Sequence, residues 1–356
     1  MGRMLALAGL PLGLRFRFLD PSPDAPARHV GEYLVGDYGD TALLDRFARG
    51  LDVVTFEFEN VPVATLARLA EQVPAFPPVV ALQVGQDRLL EKRLFQRLGI
   101  PVPAFEPVAT LDQLHTAVSS LGDGPVIAKT RRGGYDGKGQ TVIRTPADSG
   151  LAWELLKGRD LLVESLVSFE RELSVLAVRS PTGDTRVYPL VENEHQGGIL
   201  RLSRAPARVS DAVQASAAGY AAAVMEELRY VGVLAIEFFD VGGRLLANEM
   251  APRVHNSGHW TIEGAATCQF ENHVRAVAGL PLGPARARGS SVMVNVIGTP
   301  PRTDDVLAVE GAHLHLYGKE ARPGRKTGHV TITGDDPGVV ESAAVRVRSL
   351  VERAQG

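Results

Sequence analysis

Residues 129–140 read KTRRGGYDGKGQ, a basic segment holding Gly133, Gly134, Gly137 and Gly139. The flanking runs 125–129 (PVIAK) and 140–144 (QTVIR) are short and β-branched, so the spacing predicts a glycine-rich loop joining two antiparallel strands. That setting excludes the common phosphate loops. A P-loop needs glycine where Arg132 stands and Ser or Thr where Gly139 stands, and a dinucleotide fingerprint needs a helix where Gln-Thr-Val follows Gly139. The chemistry that survives is anion binding. Four glycines let backbone N–H groups come close, while Lys129, Arg131, Arg132 and Lys138 add positive charge. The loop therefore reads as a lid over a nucleotide's phosphates, with a solvated hairpin tip as the plainer alternative.

At 356 residues the chain suggests two or three domains, and 45 % hydrophobic with 22 % charged residues is ordinary globular composition. A net charge of -3 argues against general nucleic-acid binding. The single cysteine, Cys268, permits no internal disulfide and fits a reducing cytoplasm. Residues 5–14 imitate the core of a secretion signal, but Pro11 and Gly13 interrupt them and Arg15 and Arg17 follow; no run is long enough to span a bilayer.

Outward from the loop, α/β alternation comes first: a helix over 2–10, a strand over 15–19, a helix capped at Asp40–Thr41 and a strand over 52–58. On that last strand Thr55, Glu57 and Glu59 share one face, either toward a ligand at the sheet's end or simply toward solvent. Helices follow over 86–98 and 111–121. Beyond the lid, residues 161–167, 171–179 and 185–191 read as antiparallel strands, and an alanine-rich helix starts at Ser210.

Residues 231–239 and 245–250 are strands joined through Val241-Gly242-Gly243-Arg244. A three-residue loop over 242–244 sets Glu237 opposite Glu249, about 5 Å apart. Like charges so placed call for a cation, and hard oxygen ligands suit Mg²⁺. With a loop of two or four residues the acids miss each other and are surface residues. The polar run 248–260 (NEMAPRVHNSGHW) reads as a binding loop, although His255 or His259 can equally be satisfied core histidines. Residues 317–329 (YGKEARPGRKTGH) read as an anion site or a solvated charged loop.

Taken together, RRGGYDGKGQ (131–140), FEFENV (56–61), 248–260 and KEARPGRKTGH (319–329) resemble, in order, the 5-(carboxyamino)imidazole ribonucleotide synthetases of purine synthesis. The resemblance covers essentially the whole chain. It implies an ATP-grasp fold, α/β overall and α+β in the ATP half. A Rossmann-like pre-ATP-grasp domain would span 1–85, a small lid region 86–163, a catalytic domain 164–290 and an antiparallel-sheet C-terminal segment 291–356. It implies an ATP-dependent ligase in which carboxyphosphate, formed from ATP and bicarbonate, releases CO₂ to the amine of 5-aminoimidazole ribonucleotide.

The same resemblance assigns roles. Arg88, Lys129, Gly133, Gly134, Gly137, Gly139, Glu164, Ser165, Leu166, Val167, Glu172, His195 and Asn248 would hold ATP. Glu237 and Glu249 would bind Mg²⁺, with Mn²⁺ able to replace it. Tyr135, Asp136, Lys138, Arg253, His255 and Lys319 would surround the reacting groups, and Glu57, Asn256, Ser257, Arg322 and Arg325 would bind the ribonucleotide. A cytoplasmic homodimer with small-molecule substrates is implied, without nucleic-acid or membrane partners. Relatives usually begin with a further strand and a Gly-Gly-Gly-Gln-Leu segment, so a start at Met1-Gly2-Arg3 raises the expectation of a misassigned start or weakened substrate binding. Position 138 is Lys where relatives often carry Arg, which keeps charge but loses the bidentate fork. Rival readings are another ATP-grasp ligase, a non-catalytic nucleotide-binding homologue, and an RNA contact at residues 131–138.

Overall fold

A computed structural model describes residues 1–122, 124–134, 137–158 and 160–355. The first region opens with helix Gly2–Gly9 and pairs β1 (Arg17–Asp20) in parallel with β2 (Glu32–Val35). Helices Thr41–Ala48 and Val63–Ala70 pack their apolar stripes, Leu44, Phe47, Leu66 and Leu69, around Val54 and Phe56. The strand expected over 52–58 reduces to one bridge between Val54 and Ala75. The partner segment explains this. Pro74, Pro77 and Pro78 bracket it and have no N–H to extend a ladder.

The lid region is a four-stranded antiparallel sheet. It contains β3 (Phe105–Val108), β4 (Val126–Thr130), β5 (Gln140–Ile143) and β6 (Leu161–Ser165) in the order β3-β6-β4-β5. The expected hairpin is present, with Val126 opposite Ile143 and Lys129 opposite Gln140. Helices Leu111–Ser120, capped by Thr110, and Ser149–Leu155 bury Leu114, Val118 and Ala152 against it.

A larger antiparallel sheet carries the rest: β7 (Arg171–Arg179), β8 (Thr185–Val187), β9 (Val191–Gln196), β10 (Ile199–Ala205), β11 (Gly232–Val241), β12 (Arg244–Ala251), β13 (Ser290–Ile297), β14 (Ala312–Leu316) and β15 (Lys326–Gly334). Its order is β12-β11-β7-β9-β10-β13-β15-β14, with β8 against β7. The C-terminal strands thus extend the same sheet through the β10–β13 pair, and the loop read over 317–329 gives way to strand at Lys326. Alternation along β7 sends Leu173, Val175 and Ala177 into one core and Leu176 and Val178 into another, so both faces are covered. Helix Asp211–Glu227 covers the first face and helix Gln269–Val277 the second. On that second face the apolar residues stop midway along the sheet. Beyond them come Glu172 and Ser174 of β7, Asn193 and His195 of β9, and Glu237 of β11.

Candidate active site

Glu237 and Glu249 do stand opposite each other, but by a different route from the one expected. The β11–β12 connection is a two-residue loop, with Val241 opposite Arg244, and a bulge at Asn248 then inserts one extra residue before Glu249. Without the bulge a two-residue loop would bring Asn248, not Glu249, opposite Glu237. With it, two consecutive residues face one cleft: the Asn248 Oδ1 accepts from Lys129 Nζ at 3.4 Å, and Glu249 pairs with Arg88 at 3.0 Å.

The two acids have unequal environments. Burial and the Glu249 charge push the Glu237 carboxyl up to about 7. Burial acts the same way on Glu249, but Arg88, Lys129 and Lys92 outweigh it and hold its carboxyl below the ordinary range. Glu249 still has 42 % of its side chain open, so it lines the cleft wall rather than the protein interior. The pair offers only hard oxygen donors, and among the described residues no three His, Cys, Asp or Glu form a cage for an ion. Such a set fits a Mg²⁺ ion whose remaining ligands are phosphate oxygens and water.

Below the pair lies a buried ionic layer. Helix Arg88–Arg97 places Arg88, Glu91, Lys92 and Phe95 on one side at spacings of three and four. Lys92, 1 % exposed, donates to the Ala247 carbonyl at 3.1 Å and lies 3.5 Å from Glu164, which also pairs with Lys129 at 3.0 Å. Glu91 accepts from the Met250 N–H at 2.6 Å; burial, then Glu249, pushes its carboxyl up to about 8. Leaving one such charge alone in this layer would be costly, so the layer sets the relative positions of helix, lid strand and β12.

Around the cleft, Glu172, His195, Glu237 and Asn248 line one pocket, and His195 is bonded to Glu172. Burial lowers the affinity of His195 for its proton, but Glu172 and Glu237 outweigh it and the ring's pKa is raised. His255 Nε2 lies 3.6 Å from Glu237 Oε1, and burial, with Arg253 and Lys326 nearby, keeps the imidazole neutral. Arg253 is bonded to Glu59 and lowered to about 10 by burial. Glu57 receives the Met1 ammonium at 2.8 Å.

Residues 1–86 match the model of the ribonucleotide synthetase preATP-grasp domain, 93–270 that of the ATP-grasp domain, and 291–343 that of the phosphoribosylaminoimidazole carboxylase C-terminal domain. An N5-carboxyaminoimidazole ribonucleotide synthase from Pseudomonas aeruginosa is 50 % identical over 352 residues, spanning 99 % of this chain and 97 % of the relative. The chain belongs to the N5-carboxyaminoimidazole ribonucleotide synthase family. The family's structure from Thermus thermophilus superposes with a TM-score of 0.94 at 56 % identity, covering 98 % of this chain and 95 % of that one. An Aspergillus clavatus family member in complex with ADP and 5-aminoimidazole ribonucleotide gives 0.91 at 31 %, covering 99 % and 96 %.

At the lid base, Arg131 and Arg132, read above as part of the loop's positive charge, both hold Asp87, at 2.6 and 2.8 Å. Gly137 has φ +74°, and a Cβ there would come 2.9 Å from the Gly197 carbonyl, so the lid rests on the β9–β10 turn. A Cβ on Gly134 would meet the Lys138 carbonyl at 2.8 Å, one on Gly139 the Thr130 hydroxyl at 2.6 Å, and Gly133 has φ +77°. Tyr135 and Asp136 lie outside the described residues. Ser165 and Leu166 donate their N–H groups to the Ala104 and Pro125 carbonyls, at 2.9 and 3.1 Å; Val167 follows the end of β6. Asn256 exchanges amide hydrogen bonds with Asn295, while Ser257 is buried with its hydroxyl between Ser174 and His255. Lys319 lies 5.6 Å from the centre of the Tyr317 ring; Arg322 pairs with Glu320 at 2.6 Å and Arg325 donates to the Glu320 carbonyl at 3.2 Å.

Sequence reading did not single out Asp87, Glu91 or Lys92. For Glu91 and Lys92 a signal existed: charges at i+3 and i+4 from Arg88, in line with Phe95, mark a charged inward face. Nothing local marks Asp87 as the anchor of Arg131 and Arg132, 44 and 45 residues away.

Proposed function

We propose that the chain carboxylates 5-aminoimidazole ribonucleotide with bicarbonate, converting ATP to ADP and phosphate, in purine biosynthesis. The observation that carries the reading is the oxygen-only pair Glu237–Glu249 on adjacent strands, flanked by Arg88 and Lys129 and followed directly by Arg253 and His255. Family membership, with relatives solved in complex with ATP, with ADP, and with ADP plus 5-aminoimidazole ribonucleotide, supports it.

In this reading Lys129 and Arg88 align the phosphates and neutralise charge as the γ-phosphoryl group moves to bicarbonate. Glu237 and Glu249 would hold Mg²⁺ or Mn²⁺, which when bound neutralises charge between the phosphate oxygens. Glu172 and His195 would bind the nucleoside. The lid, with Lys138 and the flanking Tyr135 and Asp136, would keep water from the carboxyphosphate. Arg253, His255 and Lys319 would border bicarbonate and the aminoimidazole, with Glu57, Asn256, Arg322 and Arg325 around the ribonucleotide. Domain limits at 85, 163 and 290, a homodimer and a cytoplasmic location complete the proposal. No described helix is long and apolar enough to cross a membrane.

The test is ADP release with ATP, Mg²⁺ and bicarbonate, with and without 5-aminoimidazole ribonucleotide, and detection of the carbamate product. Stimulation by the ribonucleotide with carbamate formation is expected. ATP binding without either outcome would assign the site to another acceptor.

A further inference from the structure

Behind His255 runs a chain of buried polar side chains. The Ser203 hydroxyl donates to Asn193 Oδ1 at 2.7 Å, Asn193 Nδ2 donates to Ser174 Oγ at 2.9 Å, Ser174 Oγ donates to Ser257 Oγ at 2.8 Å, and Ser257 Oγ lies 2.9 Å from His255 Nδ1. All four are at most 5 % exposed. Hydroxyl and amide directions in such a chain are ordinarily a matter of choice. Here one end biases the choice. The Ser257 backbone N–H, which can only donate, also points at His255 Nδ1, at a long 3.3 Å, and so favours Nδ1 as acceptor. The Ser257 hydroxyl, donating to Nδ1 at 2.9 Å, completes the preference, and each link back to Ser203 then has one consistent direction.

Building on the proposed function, we infer that Ser257, Ser174, Asn193 and Ser203 are positioning residues that lock His255 as the Nε2–H tautomer, so that it offers a hydrogen-bond donor to an oxygen of bicarbonate or carboxyphosphate beside Glu237. A proton on Nδ1 would confront the Ser257 N–H at 3.3 Å. His255 is thereby barred from taking a proton at Nε2, which is already occupied. It is a donor to oxygen, and proton removal from the substrate amine falls to another group. The chain also assigns Ser257, expected to touch the ribonucleotide, to the support of His255.

The test combines a spectroscopic and a kinetic readout. In ¹⁵N-histidine-labelled protein, with the His255 signals identified by their loss in H255Q, the wild type is expected to show an unprotonated Nδ1 and a protonated Nε2. N193D replaces the only obligate side-chain donor with an acceptor, drawing the Ser174 hydroxyl and then the Ser257 hydroxyl away from His255. S174A breaks the same chain without adding charge and serves if N193D does not fold. Either variant is expected to shift the His255 signals toward a tautomer mixture and to lower kcat roughly tenfold; S174A, whose side chain lies outside the pocket that Asn193 lines, should leave KM for ATP unchanged. A wild-type proton on Nδ1, variants that leave the His255 signals unmoved, or a shift in tautomer with kcat intact would each overturn the inference. If wild-type protein forms no carbamate at all, the proposed function fails instead, and the spectrum still decides the tautomer.

Discussion

Replacing Asp87 separates two tasks performed by one carboxylate. It caps helix Arg88–Arg97 by accepting from the Leu89 and Leu90 N–H groups at 3.1 and 3.4 Å, and it holds Arg131 and Arg132 at the lid base. D87N keeps a capping oxygen and loses the charge; D87A loses both. The cap contributes about 1 kcal/mol. A charge-assisted bond contributes about 1.5–3 kcal/mol, but Arg132 is 67 % exposed, so its share falls to at most about 1 kcal/mol. The expected losses are therefore about 2 kcal/mol for D87N and about 3 kcal/mol for D87A in urea unfolding. Burial alone would raise the Asp87 carboxyl, yet Arg131 and Arg132 outweigh it and hold it below the ordinary 3.8. A depressed folded value means that its contribution is present above 3.8 and lost as pH falls through the lower folded value, so the D87N deficit should be constant from neutral pH down and shrink only below about pH 4. Because the Arg88 N–H donates to the Arg131 carbonyl at 3.1 Å, loosening the lid base should also speed amide exchange at Arg88 and raise KM for ATP. Wild-type stability and KM in D87N, or equal losses in D87N and D87A, would refute the account.

Three further outcomes follow from the cleft. In metal-free protein the raised folded value of Glu237, about 7 against 4.5, means that wild type loses stability as pH rises above 4.5 and through 7; E237Q lacks that loss. It should match wild type near pH 4.5, exceed it by roughly 3 kcal/mol at about pH 8 and lose metal-dependent activity, and superimposed urea curves at the higher pH would contradict this. N248A removes one of the two acceptors of Lys129, leaving Glu164, a loss of about 1 kcal/mol read as a roughly fivefold rise in KM for ATP, while the Glu237–Glu249 register and the dependence on metal persist. G137A places a side chain at φ +74° and 2.9 Å from the Gly197 carbonyl, so kcat/KM should fall about tenfold through impaired lid seating, with the urea midpoint of the whole chain nearly unchanged. Unaltered kinetics would show that the lid does not rest on the β9–β10 turn during turnover.

Much of this was legible in one dimension because the signals are local. Strand–glycine loop–strand follows from residues within about twenty positions of one another, as do the helix caps at Asp40, Thr110 and Ser210, each of which accepts from its own helix. The failures have one physical source as well. The strand expected over 52–58 depended on a distant partner segment, whose prolines stop the ladder. Arg131 and Arg132 were read by charge alone, and charge does not say whether its counterpart is a phosphate or a carboxylate.

Period, turn chemistry and residue type act over a few positions, which is why the antiparallel lid, the helices and the two acids proposed to bind a cation could be read directly from the residues. How those acids meet depends on packing between segments. The Asn248 bulge, not the loop length, brings Glu249 opposite Glu237, and a bulge is set by which face each neighbour must bury: Leu245, Ala247 and Met250 toward the core, Asn248 and Glu249 toward the cleft. Likewise the state of His255 depends on Ser174, Asn193 and Ser203, residues between 52 and 81 positions away by sequence number, brought beneath it by the packing of three strands.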